Sequence, residues 1–178
     1  MTSQLKNGIH ISLHQLEPAW LDLLVDYLTQ LGPETRSRFG PHTFDKPTIE
    51  KLFRDDKYLG FVASEIQSET FIAYAIVKQG YLEHDWPRLS SHGLRLDAFT
   101  DATLAPSVAD TWQSKGVGAA LFDFIATALK NKGFRRIILW GGVQSSNIKA
   151  VNFYIKKGFR IVGAFDYNGH NWDMVLDL

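Results

Sequence analysis

Gln113-Ser114-Lys115-Gly116-Val117-Gly118-Ala119-Ala120-Leu121 is the stretch on which the reading of the fold turns. It lies between an extended run, Leu94 to Val108, and the strongest helical pattern in the chain, Gly118 to Asn131. Ala120, Leu121, Phe124, Ile125, Ala128 and Leu129 form the apolar stripe of that helix. Two glycines ahead of it let the backbone turn tightly and come close to a ligand. The first amides of a helix have no acceptor within the helix and point outward, and the helix dipole favours an anion beside them. Lys115 adds a cation. The spacing is not that of a Walker loop, which ends in Gly-Lys-Ser or Gly-Lys-Thr, nor that of the three-glycine dinucleotide fingerprint. Taken alone, the two glycines serve an anion site or a simple strand-to-helix turn equally well.

A second constellation follows about thirty residues on. Ser146 to Lys157 reads as a helix, with Ser145 or Ser146 as its cap and Gly158 as its stop. Asn147, Ala150 and Tyr154 are spaced by three and four residues and so share one face. An amide, a small side chain and a phenol in that order suit the wall of a narrow channel. Read without the upstream loop, Phe153 and Tyr154 are core aromatics and Asn147 is a first-turn polar residue.

The rest of the chain frames these two segments. Gly8 to Leu13 alternates as a strand, and Glu17 to Leu31 carries a helical pattern ended by Gly32-Pro33. Pro41 to Pro47 reads as loop and Thr48 to Arg54 as a short helix. Leu59 to Ile66 and Phe71 to Val77 read as a hairpin turned at Gln67 to Thr70. Gly80 to Gly93 is a polar and aromatic connection. Pro106, inside the next extended run, predicts an edge or a bulge. Arg136 to Trp140 has the continuous apolar character of a strand buried on both faces. Phe159 to Tyr167 and Asn171 to Leu176 pair around Asn168-Gly169, a strong hairpin signal. This order predicts a mixed α/β protein, one domain over residues 1–178, with helices packed on a sheet.

Composition bounds the function. Lys plus Arg total 19 and Asp plus Glu total 19, a net charge of zero, and a balanced chain lacks the electrostatic footprint of a nucleic-acid binder. There is no cysteine, which removes disulfides, thiolate metal sites and cysteine nucleophiles together. No 18-residue apolar run is present, and Met1 to His10 lacks a signal-peptide pattern. The expectation is a cytoplasmic protein that binds neither membrane nor nucleic acid.

The segment Val108-Ala109-Asp110-Thr111-Trp112-Gln113-Ser114-Lys115-Gly116-Val117-Gly118, with Asn147, Ala150, Phe153-Tyr154 and Gly158-Phe159, resembles the GNAT N-acetyltransferase superfamily. Its loop pattern is Gln or Arg, two residues, Gly, one residue, then Gly or Ala, and Gln113 to Gly118 matches it throughout. The match runs from about Leu104 to Phe165. The resemblance implies an α/β (α+β) fold: a central, mostly antiparallel sheet with a splayed parallel strand pair, flanked by helices. It implies acetyl-CoA as acyl donor and no metal. The amides of Ser114, Lys115, Gly116, Val117, Gly118 and Ala119 would hold the pyrophosphate, with Gln113 opening the loop. Pro106, Ser107 and Val108 would pair with the pantetheine arm, and the Val108 amide would polarise the thioester carbonyl. The strand ending at Trp140 to Val143 would splay away. Asn147 would contact pantetheine or order a water, Ala150 would leave room, and Tyr154 would protonate the departing thiolate.

This chain also departs from the pattern. Some members carry a glutamate base on the strand that here reads Trp140-Gly141-Gly142-Val143. Asp97 and Asp101 are the alternative carboxylates, on one face by strand alternation, and Asp101 is the preferred candidate base; both read equally as solvent-facing residues. His84, Asp85 and His92 lie in the connection before that strand, as loop residues or as acceptor-side groups. Tyr81, Trp86 and Phe99 form either an acceptor wall or core packing, the latter favoured for Phe99. Arg36 and Arg38 read as a solvated basic turn or as contacts to an acidic acceptor. The activity implied is N-acetylation of a primary amine, of a small molecule in the first instance. The alternatives are a protein N-terminus or lysine, a non-catalytic acyl-CoA-binding domain, or a scaffold that has lost CoA. Edge strands in this fold pair between subunits, so a homodimer is the expected assembly.

Overall fold

A computed structural model describes residues 1–6, 8–68 and 70–178. In chain order the elements are β1 (Thr2–Gln4), β2 (His10–Gln15), α1 (Leu21–Thr29), α2 (Pro33–Arg38), α3 (Lys46–Phe53), β3 (Tyr58–Glu65) and β4 (Phe71–Gln79). There follow α4 (Trp86–Ser91), β5 (Asp101–Val108), α5 (Val117–Asn131), β6 (Arg136–Leu139), β7 (Val143–Gln144), α6 (Ile148–Lys156), β8 (Arg160–Asp166) and β9 (His170–Asp177). The described residues form two compact units, one of residues 1–77 and 105–128, the other of residues 78–104 and 129–178.

In the first unit, β1, β2 and β3 pair antiparallel in that order, with Leu13 opposite Ala63. Ala109 N donates to Ile72 O at 2.9 Å, which fixes the antiparallel register of the end of β5 on β4 and sets Ser107 opposite Tyr74. β4 is buried along almost its whole length. Its core includes Leu24 and Leu28 from α1, Ile49 from α3, Phe61 and Tyr74 from the strands, and Leu121 and Ile125 from α5, each about 1% exposed or less. Phe61 and Phe124 meet edge to face. The Asp45 side chain accepts the Thr48 N–H at 2.9 Å and so caps α3, which explains its start two residues ahead of the predicted Thr48.

The second unit holds the parallel pair. β5 and β6 run parallel from Asp101 opposite Arg136 to Leu104 opposite Leu139. β9 pairs antiparallel with β6, β7 and β8. Ile137 and Ile138 are both almost completely buried, as a strand covered on both faces requires. The ladder ends at Leu139, and the chain then turns through Gly141 and Gly142 at φ of +61° and +71°. The β8–β9 turn carries Asn168 and Gly169 at φ of +49° and +110°, the positions that Asn-Gly predicts.

Several expectations change. Gly32-Pro33 ends one helix and starts another, because Pro33 tolerates a first helical turn. Pro18–Trp20 is a 3₁₀ turn ahead of α1. The Gly80–Gly93 connection contains α4, again opened by a proline. The extended run begins at Asp101 rather than Leu94, because Asp97 bends the chain: its Oδ1 accepts the N–H groups of Phe99 and Thr100, both at 2.8 Å. Those bonds hold the Asp97 carboxyl below its ordinary pKa. Asp97 and Asp101 therefore do not alternate along one strand. Phe99 is 79% exposed, so it is not a core residue. β1 and β7 were not expected. In the predicted Gln67–Thr70 turn, Glu69 lies outside the described residues.

A polar cluster fixes α4 to β9. Arg88 Nε donates to Asp173 Oδ2 at 2.8 Å and Arg88 Nη2 to Asp173 Oδ1 at 3.1 Å, while Arg88 Nη1 lies 2.7 Å from Asp85 Oδ1. Its guanidinium lies 3.8 Å from the Phe165 ring centroid. His92 Nε2 lies 3.2 Å from Asp173 Oδ2, and a Cβ on Gly163 would fall 2.2 Å from that nitrogen. Gly163→Ala is expected to destabilise the protein by about 1–3 kcal/mol through overpacking. Chemical denaturation checks this, and His92→Ala should reduce the cost of the Gly163 change.

Candidate active site

The loop between β5 and α5 is built for backbone exposure. Ser114 has φ +62° and Gly116 φ +94°, so the chain enters α5 through two left-handed residues. Serine pays a steric penalty in that region and glycine does not. Gly116 O accepts the Ala120 N–H at 3.0 Å in the opening turn of the helix. The amides of Val117 and Gly118 precede any possible acceptor inside α5 and belong to its positive end. Space is kept there too. A Cβ on Gly116 would meet only Leu5, at 3.7 Å, and one on Gly118 would meet Val108 at 3.4 Å. The Lys115 ammonium lies 5.2 Å from the Trp112 ring centroid.

The end of β5 adds a directed donor. The N–H of Ala109 points to β4, and neighbouring strand residues point their N–H groups to opposite edges. The Val108 N–H therefore faces away from β4, as does the ring nitrogen of Pro106. Pro106 thus removes no bond to β4 and stands beyond the last parallel pair, which explains its tolerance inside a strand. The Val108 carbonyl accepts Gln113 Nε2 at 3.2 Å. Ser107, 6% exposed, shares a 3.0 Å bond with the Tyr27 hydroxyl, and its Oγ donates to Tyr74 O at 3.3 Å.

In the second unit, α6 is capped by Asn147 rather than by Ser145 or Ser146. Asn147 Oδ1 accepts the Ala150 N–H at 3.2 Å. Tyr154 is buried on the same helix, edge to face with Phe153 and Phe159. Burial pushes its phenol pKa up, so the hydroxyl keeps its proton.

Residues 17–159 match the family model described as the acetyltransferase (GNAT) family. The chain belongs to the GNAT acetyltransferase family. No curated protein sequence matches significantly. Among solved structures, it is similar to the GNAT domain of S. lividans PAT, at TM-score 0.77 and 20% identity over 100% of this chain and 96% of that one. It is also similar to an N-acetyltransferase of Staphylococcus aureus Mu50, at TM-score 0.67 and 16% identity over 94% and 98%. The ribosomal-protein-S18-alanine N-acetyltransferase of Escherichia coli gives TM-score 0.63 and 20% identity over 94% and 93%. The protein is therefore an acyltransferase of the acyl-CoA-dependent N-acetylating kind, on the mixed sheet that the sequence predicts.

Within this GNAT protein the other named residues fall as follows. Asp101, 0% exposed, lies 3.1 Å from Arg136 Nε and accepts the Asp97 N–H at 2.8 Å. Burial raises its pKa, against the lowering by the Asp97 N–H and by Arg136. Gly142 leaves room for the Phe165 ring, 2.8 Å from where its Cβ would be, so no side chain fits at that point on the turn after β6. His84 faces Asp85 at 3.6 Å and His92 faces Asp173. Arg36 Nη2 donates to Thr29 O at 2.7 Å, and Arg38 pairs with Glu34 at 2.9 Å. Tyr81 packs on Leu89, Ile138 and Val175.

Sequence reading missed Thr35 and Asp110, which brace the loop. Gly32 N donates to Asp110 Oδ2 at 2.7 Å, and Thr35 Oγ1 donates to Asp110 Oδ1 at 2.6 Å. The available signal was Gly32: a Cβ there would lie 3.0 Å from the Asp110 carboxylate.

Gly116→Ala forces a Cβ into the left-handed region, at a cost of about 1 kcal/mol or more. It is expected to weaken CoA binding by at least tenfold in calorimetry. Gly133→Ala, at φ +88° in open space beyond α5, supplies the control: stability should fall while CoA affinity stays at the wild-type value.

Proposed function

We propose that this protein moves the acetyl group of acetyl-CoA to the primary amine of a small molecule, by direct attack of the amine in a ternary complex. The observation that carries this reading is the left-handed entry into α5, which presents backbone donors at a helix N-terminus inside a GNAT sequence. Two phosphates in a chain suit that cradle, and Lys115 supplements it electrostatically. Acetyl-CoA supplies an activated acyl thioester when bound.

The chain's own groups then divide the work. The amides of Ser114 to Ala119 orient the donor through its pyrophosphate. Pro106, Ser107 and Val108 give the pantetheine arm a strand edge to follow, and the Tyr27–Ser107–Tyr74 bonds keep that edge straight. The outward N–H of Val108 polarises the acyl carbonyl, a one-donor oxyanion site. Asn147 uses Oδ1 as a cap, and its Nδ2 is the donor we assign to pantetheine. Ala150 is the small side chain we assign to the pantetheine channel. Tyr154 delivers a proton to the leaving sulfur; burial raises its pKa, so the phenol holds its proton near neutrality and gives it up only to a strongly basic thiolate. Positioning of both substrates supplies much of the rate. The proton lost by the amine passes to solvent, since Asp101 is committed to Arg136 and to the Asp97 N–H. A small-molecule acceptor is favoured because a net charge of zero gives no long-range attraction for a charged polymer or peptide.

A free-thiol assay over a panel of amines tests this. Amine-dependent CoA release is expected, and Tyr154→Phe should lower kcat about 100-fold while the KM for acetyl-CoA stays within about twofold. Because the Tyr154 pKa is raised, no alkaline loss of kcat from this group is expected below about pH 10. Thiol release that ignores the amine contradicts the transfer, and unchanged turnover in Tyr154→Phe contradicts the proton assignment.

A further inference from the structure

We infer that Thr35 is a positioning residue of the donor site, tying α2 to the loop that opens α5, so that the two are ordered together. The inference rests on the acyl-CoA reading of that loop. Thr35 is a node with both hydrogen-bonding roles filled. Its Oγ1 donates to Asp110 Oδ1 at 2.6 Å and accepts from Gln113 Nε2 at 3.0 Å. Gln113 Nε2 also donates to Val108 O at 3.2 Å, and Asp110 Oδ2 accepts the Gly32 N–H at 2.7 Å. One hydroxyl thus joins the N-terminal turn of α2 to both ends of the segment between Val108 and the loop. The contacts span 75 and 78 residues of sequence, so they hold two distant segments rather than one turn.

The rest of α2 gives this node its weight. α2 has six residues and buries none of them; its apolar anchors lie outside it, at the buried Leu31 and Phe39 on either side. Between those anchors its own contacts are polar: the Asp110 carboxylate at its start, Thr35, and the Arg36 bond to Thr29 O at 2.7 Å. Bonds to a carboxylate are the stronger kind, and Gly32 is needed for the close approach. On the other side, Gln113 precedes Ser114, whose φ of +62° is unfavourable for a serine and persists only where the surroundings enforce it. Gln113, held by Thr35 and Val108, is the anchored residue next to it. Because coupling is reciprocal, a ligand that orders the loop also orders α2.

Hydrogen exchange and calorimetry on the intact protein, with CoA as the probe, test this. In the wild type, CoA should slow amide exchange both in residues 113–119 and in residues 33–39. Thr35→Val keeps the shape and removes the hydroxyl. It should raise the CoA dissociation constant at least tenfold and confine the protection to residues 113–119, with a melting temperature near that of the wild type. Thr35→Ser should restore both affinity and the second protected segment. CoA protection that never reaches residues 33–39 in the wild type overturns the inference, as does wild-type affinity in Thr35→Val or a Thr35→Ser variant as weak as the valine. A wild type that binds CoA while Thr35→Val behaves identically leaves the acyl-CoA reading intact. A wild type that binds no CoA overturns both.

Discussion

An α-helix leaves its first backbone donors without acceptors inside the helix, and the turn that leads into α5, Ser114 to Gly116, is exposed. The chain enters the helix through Ser114 and Gly116 in left-handed conformations. Bulk at Gly116 or Gly118 would narrow the approach, and the glycines remove it. A dipole and a row of donors fixed in advance need little reorganisation when an anion arrives. The buried stripe of α5, with Leu121 and Ile125 in the core, makes that placement rigid.

Within each unit, polar contacts join segments far apart in sequence. Asp110 takes donors from α2, Asp101 faces Arg136 across the parallel pair, and Asp173 faces Arg88 from α4. At the buried Asp101 and Asp173, removing the partner leaves the carboxylate desolvated and unmatched, a larger loss than the pair's own net contribution. These pairs therefore specify where short elements with little apolar surface come to rest.

What could be read in the sequence was what is decided locally. The stripe of α5, the Gln113–Gly118 loop, the strand at Ile137 and Ile138 and the Asn168-Gly169 turn are set by neighbours within a few residues. The misreadings have equally definite causes. Pro33 both closes a helix and opens α2. Trp86-Pro87 opens α4 inside a stretch with no apolar period. Asp97 folds its carboxylate back onto Phe99 and Thr100 and so cancels the strand that alternation predicts. Asn147 outcompetes the nearby serines as cap because its Oδ1 reaches the Ala150 N–H. Thr35 was out of reach, since its partners lie 75 and 78 residues away and only the tertiary structure brings them together.

The central claim is that the backbone turn ahead of α5 grips the pyrophosphate of the acyl donor. Titration calorimetry of the wild-type protein with CoA and with pantetheine, which lacks the nucleotide and both bridging phosphates, tests it most directly. The account predicts saturable CoA binding and an affinity for pantetheine lower by at least 100-fold, about 2.7 kcal/mol. Equal affinity for the two ligands, or no CoA binding at millimolar concentration, would contradict it.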